Sequence, residues 1–179
     1  MKRSLQVLVV LLFILAPATY SFGQGEPTDP AQARISKEVR HEILMLPYFG
    51  VFDNIEYKVQ GGTVTLLGSV TRPVLKSDAG NVVKRIEGVN QVVNNIDVLP
   101  PSSMDDGLRR ALFRAIYGDP ALQKYELGVQ KPIRIIVKNG HVSLEGVVDN
   151  ETDKNLAGMR AKGVPGIFEV NNNLHVVPS

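Results

Sequence analysis

The 179-residue chain contains no cysteine. That absence excludes disulfides, thiolate catalysis, cysteine zinc sites and an N-terminus lipidated through cysteine. Histidine is scarce as well, with three in the whole sequence. His41 falls in a helical pattern, His141 just after a hairpin turn and His175 on the polar side of a strand. None has a carboxylate or nucleophile spaced to make a catalytic or metal-binding set. Long apolar runs are missing too. The stretch Val7–Ala16 falls short of the roughly 20 residues that a membrane-spanning helix needs.

Net charge is the last thing the chain has little of. Of its 20 basic residues, Lys2 and Arg3 lie in the leader, leaving 18 against 18 acidic residues. A chain so balanced lacks the basic stripe that nucleic-acid binding exchanges for counterions, so no nucleic-acid partner is expected. The leader reads as a secretory signal peptide over residues 1–23: Lys2 and Arg3, the apolar run, then Pro17 and the small residues before a cleavage point after Ala18 or Gly23. The alternative is an uncleaved N-terminal anchor. A polar, proline-bearing tether follows over 24–33. Asp149, Glu151 and Asp153 alternate as calcium ligands do, but no loop glycine or later bidentate glutamate completes a site. They read as acids at a helix start.

What is abundant is internal repetition. Residues 60–100 align with 138–178 without a gap at an offset of 78, and 15 of the 41 positions are identical. A spaced repeat of this kind marks one supersecondary unit used twice. Each unit opens with an amphipathic helix: Ile35, Val39, Ile43 and Leu46 in the first, Leu108, Ala111, Leu112, Ala115 and Ile116 in the second. Asp105 or Ser103 is available to cap the latter.

Two alternating runs then flank Gly61-Gly62 in one copy and Asn139-Gly140 in the other, which predicts hairpins. Gly68 and Gly146 stand where a core side chain is due, marking a bulge or the close approach of a helix. A second helix is expected over Pro73–Glu87, capped by Thr71, and a weaker one over Glu151–Lys162, which holds Gly158. A third strand closes each unit after the helical crossover and should pair in parallel. Asn94-Asn95 and Asn172-Asn173 open that strand, where asparagine is unfavourable; the pairs are expected to bond a loop backbone.

The expected fold class is therefore α+β. Two tandem αββαβ domains occupy 34–100 and 105–178, joined by the linker 101–104. Each has a three-stranded mixed sheet with two helices on one face, and Glu56, Lys58, Thr63 and Thr65 leave the other face polar.

The sharpest difference between the copies is the helix Leu108–Tyr117. Phe113 and Tyr117 lie almost opposite its apolar face, beside Arg110 and Arg114, with Arg109 at the border. Such a face suits an interface with lipid, rings at headgroup level and guanidiniums on phosphates. Alternatively, the two rings pack against the first domain or the segment Tyr125–Lys131. The first-repeat helix places Lys37, Arg40 and Leu44 in the same sector, without an aromatic.

The run Gly140-x-Val142-x-Leu144-x-Gly146-x-Val148, followed by Gly166-Ile167-x-x-Val170-x-Asn172-x-Leu174-x-Val176, resembles the BON domain. So does Gly62-x-Val64-x-Leu66-x-Gly68-x-Val70 with Gly88-Val89-x-x-Val92-x-Asn94-x-Ile96-x-Val98. Two such domains behind an export signal are similar to osmotically inducible periplasmic proteins and their lipoprotein relatives. The resemblance implies no enzymatic activity; no cofactor and no bound metal are expected. It also implies a periplasmic or secreted location and a role in envelope integrity or stress tolerance. The implied partner is an anionic phospholipid membrane surface, met by the first helix of the second domain. That nominates Arg109, Arg110, Phe113, Arg114 and Tyr117 for lipid binding. The competing expectation is a protein-interaction or chaperone-like module that meets other envelope proteins through its polar sheet face or an edge strand.

Overall fold

A computed structural model describes residues 29–128 and 130–177 of the chain; the segment 1–23, read above as a signal peptide, and most of the expected tether lie outside the described residues. Helix α1 spans Pro30–Leu44, with Asp29 capping it by accepting from the Ala31 amide. Pro30 at the first helical position loses no bond, since that N–H would be orphaned anyway. Residues 30–33 thus belong to the helix rather than to the tether. Strands β1 (Asn54–Gln60) and β2 (Thr63–Val70) form the first hairpin, and α2 (Pro73–Lys84) crosses back over the sheet. The third strand is broken into β3 (Gln91–Asn94) and β4 (Asp97–Val98), both parallel to β2. The second domain repeats the order with α3 (Ser103–Tyr117), β5 (Ile133–Lys138), β6 (His141–Val148), α4 (Glu151–Lys162), β7 (Glu169–Asn172) and β8 (His175–Val176). The sheets are mixed and the α+β class holds, in two αββαβ units.

Several local expectations needed adjustment. Ser102, not Ser103 or Asp105, caps α3, so Ser103 and Met104 of the expected linker form its first turn. Thr71 does not cap α2; its amide and hydroxyl both donate to Asp53, a carboxylate only 2% exposed that also accepts from the Gly50 amide. The helix ends at Lys84 instead of Glu87. Gly68 and Gly146, at φ of 103° and 108°, admit a neighbouring strand rather than a helix. A Cβ there would lie 2.3 Å from the Asn54 carbonyl oxygen and 1.9 Å from that of Pro132.

The asparagine pairs are structural, but their partner is a helix. Asn94 Nδ2 donates to the Lys76 carbonyl and Asn172 Nδ2 to the Lys154 carbonyl, both at 2.7 Å. The same side chains accept from the amides of Ile96 and Leu174. This breaks the strand between β3 and β4, and between β7 and β8, and turns Ile96 and Leu174 into the core, each 1% exposed. Helix α4, expected to be weak, is as long as α2 and is capped by Asn150 on the Asp153 amide.

Each domain has its own core. In the first, Ile35, Val39 and Ile43 of α1 meet Leu75, Ala79 and Val83 of α2 over Val64, Leu66 and Val70. In the second, Leu108, Leu112 and Ile116 meet Ala157 and Ala161 over Ile133, Ile135 and Leu144. The stretch between α3 and β5 is longer than its counterpart between α1 and β1, and it buries Leu122 and Tyr125 in the second core.

The domains dock on one another. The Ile135 amide of β5 donates to the Val51 carbonyl at 2.9 Å, adding one first-domain residue to the edge of the second sheet. Arg134 donates to the Gly50 carbonyl and lies over the Phe49 ring at 4.6 Å; Gln130 donates to the Leu44 carbonyl; Lys138 pairs with Asp97. Strand β5 is consequently buried from Ile133 to Val137 on both faces, so the polar sheet face expected to stand open is covered at Arg134 and Ile136. Lys58 and Glu56 of the first sheet remain exposed.

Candidate functional site

Helix α3 forms because its apolar residues recur at Leu108, Leu112 and Ile116, and because Asp105 and Asp106 stand in its first turn, where the helix dipole favours acids. The five nominated residues divide on this helix. Arg109 and Tyr117 face inward, at 5% and 1% exposed. Arg110 and Arg114 are exposed and Phe113 is half-buried.

The inward pair has a definite task. As an edge strand, β5 carries backbone groups that β6 does not satisfy, and unpaired edge groups are costly when buried. The Tyr117 hydroxyl donates to the Ile133 carbonyl at 2.6 Å and accepts from the Ile133 amide at 3.2 Å. Arg109 donates to the Val137 carbonyl at 2.6 Å and to Asp106. With Val51 on Ile135, these bonds close the edge of β5 at alternate residues. Burial pushes the Tyr117 phenol well above its ordinary range, so it stays a neutral donor at any physiological pH. The expectation of an outward Phe113–Tyr117 pair is corrected accordingly: Tyr117 belongs to the core. Helical spacing alone could not show this, because the residues that enclose Tyr117 lie beyond the helix.

Phe113 sits between these roles. Its ring stacks on Tyr117 at 5.0 Å and meets Phe52 of the first domain edge-to-face at 6.4 Å. Val51, Phe52 and Phe113 line an open apolar notch of about 260 Å³ flanked by Arg110 and Arg114. Val51 and Phe52 are the two residues that sequence reasoning missed. They lie in a connecting segment of the other domain, and no pattern in the chain links them to α3. Among the described residues neither Arg110 nor Arg114 forms an ion pair, so both charges face solvent.

The remaining polar groups are committed elsewhere. Asp149 and Asp153 both pair with Lys124, and Asp153 also accepts from Tyr125 and Asn150. Those contacts, led by the Lys124 ammonium, outweigh burial and hold the Asp153 carboxyl below its usual range. His41, His141 and His175 stand exposed and apart, with His141 against Glu169. Among the described residues, no three His, Asp or Glu side chains converge as metal ligands, and no helix is long and apolar enough to cross a membrane.

Comparison with known proteins fits this architecture. The family described as BON domain matches residues 31–100 and again 105–178. The chain belongs to the BON domain family, with two domains in tandem. No curated protein compared with it matches. Among solved structures, CdsD, a structural protein of the type III secretion system of Chlamydia trachomatis, is similar at 12% identity and a TM-score of 0.33, covering 82% of this chain and 93% of that one. The C-terminal domain of CdsD matches at 13% identity and a TM-score of 0.28, covering 79% and 96%.

Proposed function

We infer that this is a non-enzymatic, exported envelope protein whose paired BON domains associate with anionic phospholipid surfaces and so support envelope integrity under stress. The observation that carries the reading is the notch on α3: two exposed arginines four residues apart, without an ion pair among the described residues, flanking an apolar patch of Val51, Phe52 and Phe113. Arginines at phosphate level with aromatic rings just below are the composition of an interfacial contact. Arg109 and Tyr117, nominated with them, support the site from behind, by fixing α3 to β5.

A basic side chain near an anionic membrane contributes about 1 kcal/mol. Replacing Arg110 and Arg114 by glutamine therefore weakens binding to phosphatidylglycerol-containing vesicles by roughly thirtyfold, with the fold intact because both side chains are exposed and neither makes an ion pair among the described residues. Binding of the unaltered protein falls as salt rises. Co-sedimentation measures both. Equal pelleting of R110Q/R114Q and the unaltered protein removes α3 from the membrane contact.

A further inference from the structure

A second concave site lies where the domains meet, on α1 rather than α3. It is a groove of about 290 Å³ between α1 and β1 on one side and the Gln130–Arg134 segment and Val147 on the other. Arg40, Lys131 and Arg134 line it, and no aspartate or glutamate does. Its apolar walls include Ile43, Leu44, Phe49, Ile55 and Val147.

The charge state of this groove is unusual. Arg134 is only 8% exposed, and burying a guanidinium ordinarily calls for a carboxylate partner. Here its bonds go to neutral acceptors, the Gly50 carbonyl and Gln130 Oε1, and its face to the Phe49 ring. Glu145 stands opposite Arg134 in the β5–β6 register but accepts from Asn173 instead. Asp53, the other acid nearby, accepts from Gly50 and Thr71 and acts on Arg134 through space without pairing with it. Lys131 donates to the Glu126 carbonyl, and Arg40 is exposed. Among the described residues, none of the three cations has an ion-pair partner. Three cationic side chains without a contact ion pair thus converge on a partly desolvated, apolar-walled groove, where field lines are least screened, and the Asp53 carboxylate acts on one of them, Arg134, only through space.

We propose that this interdomain groove binds a small anionic amphiphile: one carboxylate or phosphate group on a single apolar stem. The anion meets Arg40, Lys131 and the rim of Arg134, while the stem lies against Ile43, Leu44 and Phe49. The volume sets the size class. Drug-sized ligands occupy pockets of about 300–1,000 Å³, so a two-chain phospholipid does not fit. Because the walls come from both domains, an occupant ties them together and adds to the stability of the docked pair. The site shares no residue with the α3 notch and does not depend on membrane association.

The test uses the purified protein with octanoate, octyl phosphate and inorganic phosphate as probes, read by calorimetric titration and thermal unfolding. Octanoate or octyl phosphate binds saturably and raises the Tm, the tighter of the two naming the anion. R40Q/K131Q weakens that binding by at least roughly tenfold, the loss of one to two charge contacts. R110Q/R114Q leaves it unchanged. If the ligand-free Tm of R40Q/K131Q drops, R40Q alone decides, since Arg40 is exposed and forms no ion pair among the described residues. Neither amphiphile binding below about 1 mM overturns the proposal, as does equal binding by R40Q/K131Q. Inorganic phosphate binding as tightly as octyl phosphate would also overturn it, because the apolar walls would then contribute nothing.

Discussion

Gly158 lies in the middle of α4 and is buried. In an ordinary helix its replacement by alanine stabilises by about 1 kcal/mol. Here the opposite sign is expected. A Cβ at Gly158 would stand 2.8 Å from Asn172 Nδ2 and 3.6 Å from its Cγ. The amide is the end of a side chain and can swing away, but only by giving up its 2.7 Å bond to the Lys154 carbonyl and its contact with the Leu174 amide. Losing a hydrogen bond costs about 0.5–1.5 kcal/mol, and leaving its buried partner unsatisfied raises that to about 1–3 kcal/mol. Set against the propensity gain, G158A is destabilising by about 1 kcal/mol.

For a chain of this size 1 kcal/mol moves the Tm by about 2–4 °C. Calorimetry or urea unfolding resolves such a shift, and a double-mutant cycle isolates its cause. N172A alone is destabilising, but on that background G158A meets no amide and recovers its propensity, so the coupling between the sites is about 2 kcal/mol. The first domain supplies a replicate. A Cβ at Gly80 would lie 2.9 Å from Asn94 Nδ2, which bonds the Lys76 carbonyl at 2.7 Å, so G80A should behave alike. A rise in Tm for G158A, or additivity of G158A with N172A, refutes the reasoning.

Two further outcomes follow from buried carboxylates. Asp105, 1% exposed, accepts from the Asn139 and Gly140 amides at 2.9 Å each, fixing the second hairpin turn to α3. D105A strands two donors and should lower stability by about 2–4 kcal/mol in urea unfolding, whereas unchanged stability would mean that water replaces the carboxylate. The Ala121 amide, with Arg160, holds the Asp119 carboxyl below its usual range, and Asp153 is lowered too against the opposing effect of burial. Carboxylates depressed in the folded state contribute stability above about pH 4 and lose it as pH falls through their lowered values. Glu145 opposes them, since burial raises its carboxyl. Urea unfolding between pH 5 and 2.5 should therefore show stability falling towards acid, less steeply in D119N/D153N; an identical slope contradicts the assignment.

The repeat made the fold readable because its identical positions report local physics. Turn residues at Gly62 and Asn139-Gly140, alternating aliphatics on β2 and β6, and the asparagines that end β3 and β7 act within a few residues or across one strand pair. Gly158 shows the limit of that reading. As a single residue it signals a poor helix, and only its partner Asn172, meeting it across the crossover, turns it into a requirement. Its recurrence at Gly80, with Asn94 in the same relation, was visible in the alignment and is the signal that could have revealed the pairing.

The α3 face was legible only in part, for a related reason. A helical wheel locates the sector that the helix itself cannot bury, but what covers that sector is decided elsewhere in the chain. In α1 the sector holds Lys37, Arg40 and Leu44, and Gln130 reaches the Leu44 carbonyl from the other domain. In α3 the same sector divides lengthwise. Tyr117 is drawn in by the edge of β5, Phe113 is half-covered by Phe52, and Arg110 and Arg114 are left to solvent. The edge of β5 needs Tyr117 and Arg109 because no further strand among the described residues pairs there, and Val51 supplies a single bond from the docked first domain. Domain docking and the exposed arginine notch are thus consequences of the same unpaired edge. If so, loosening the dock through Phe52→Ser should change α3 as well as the interface, disturbing the Arg110–Arg114 surface without touching either arginine.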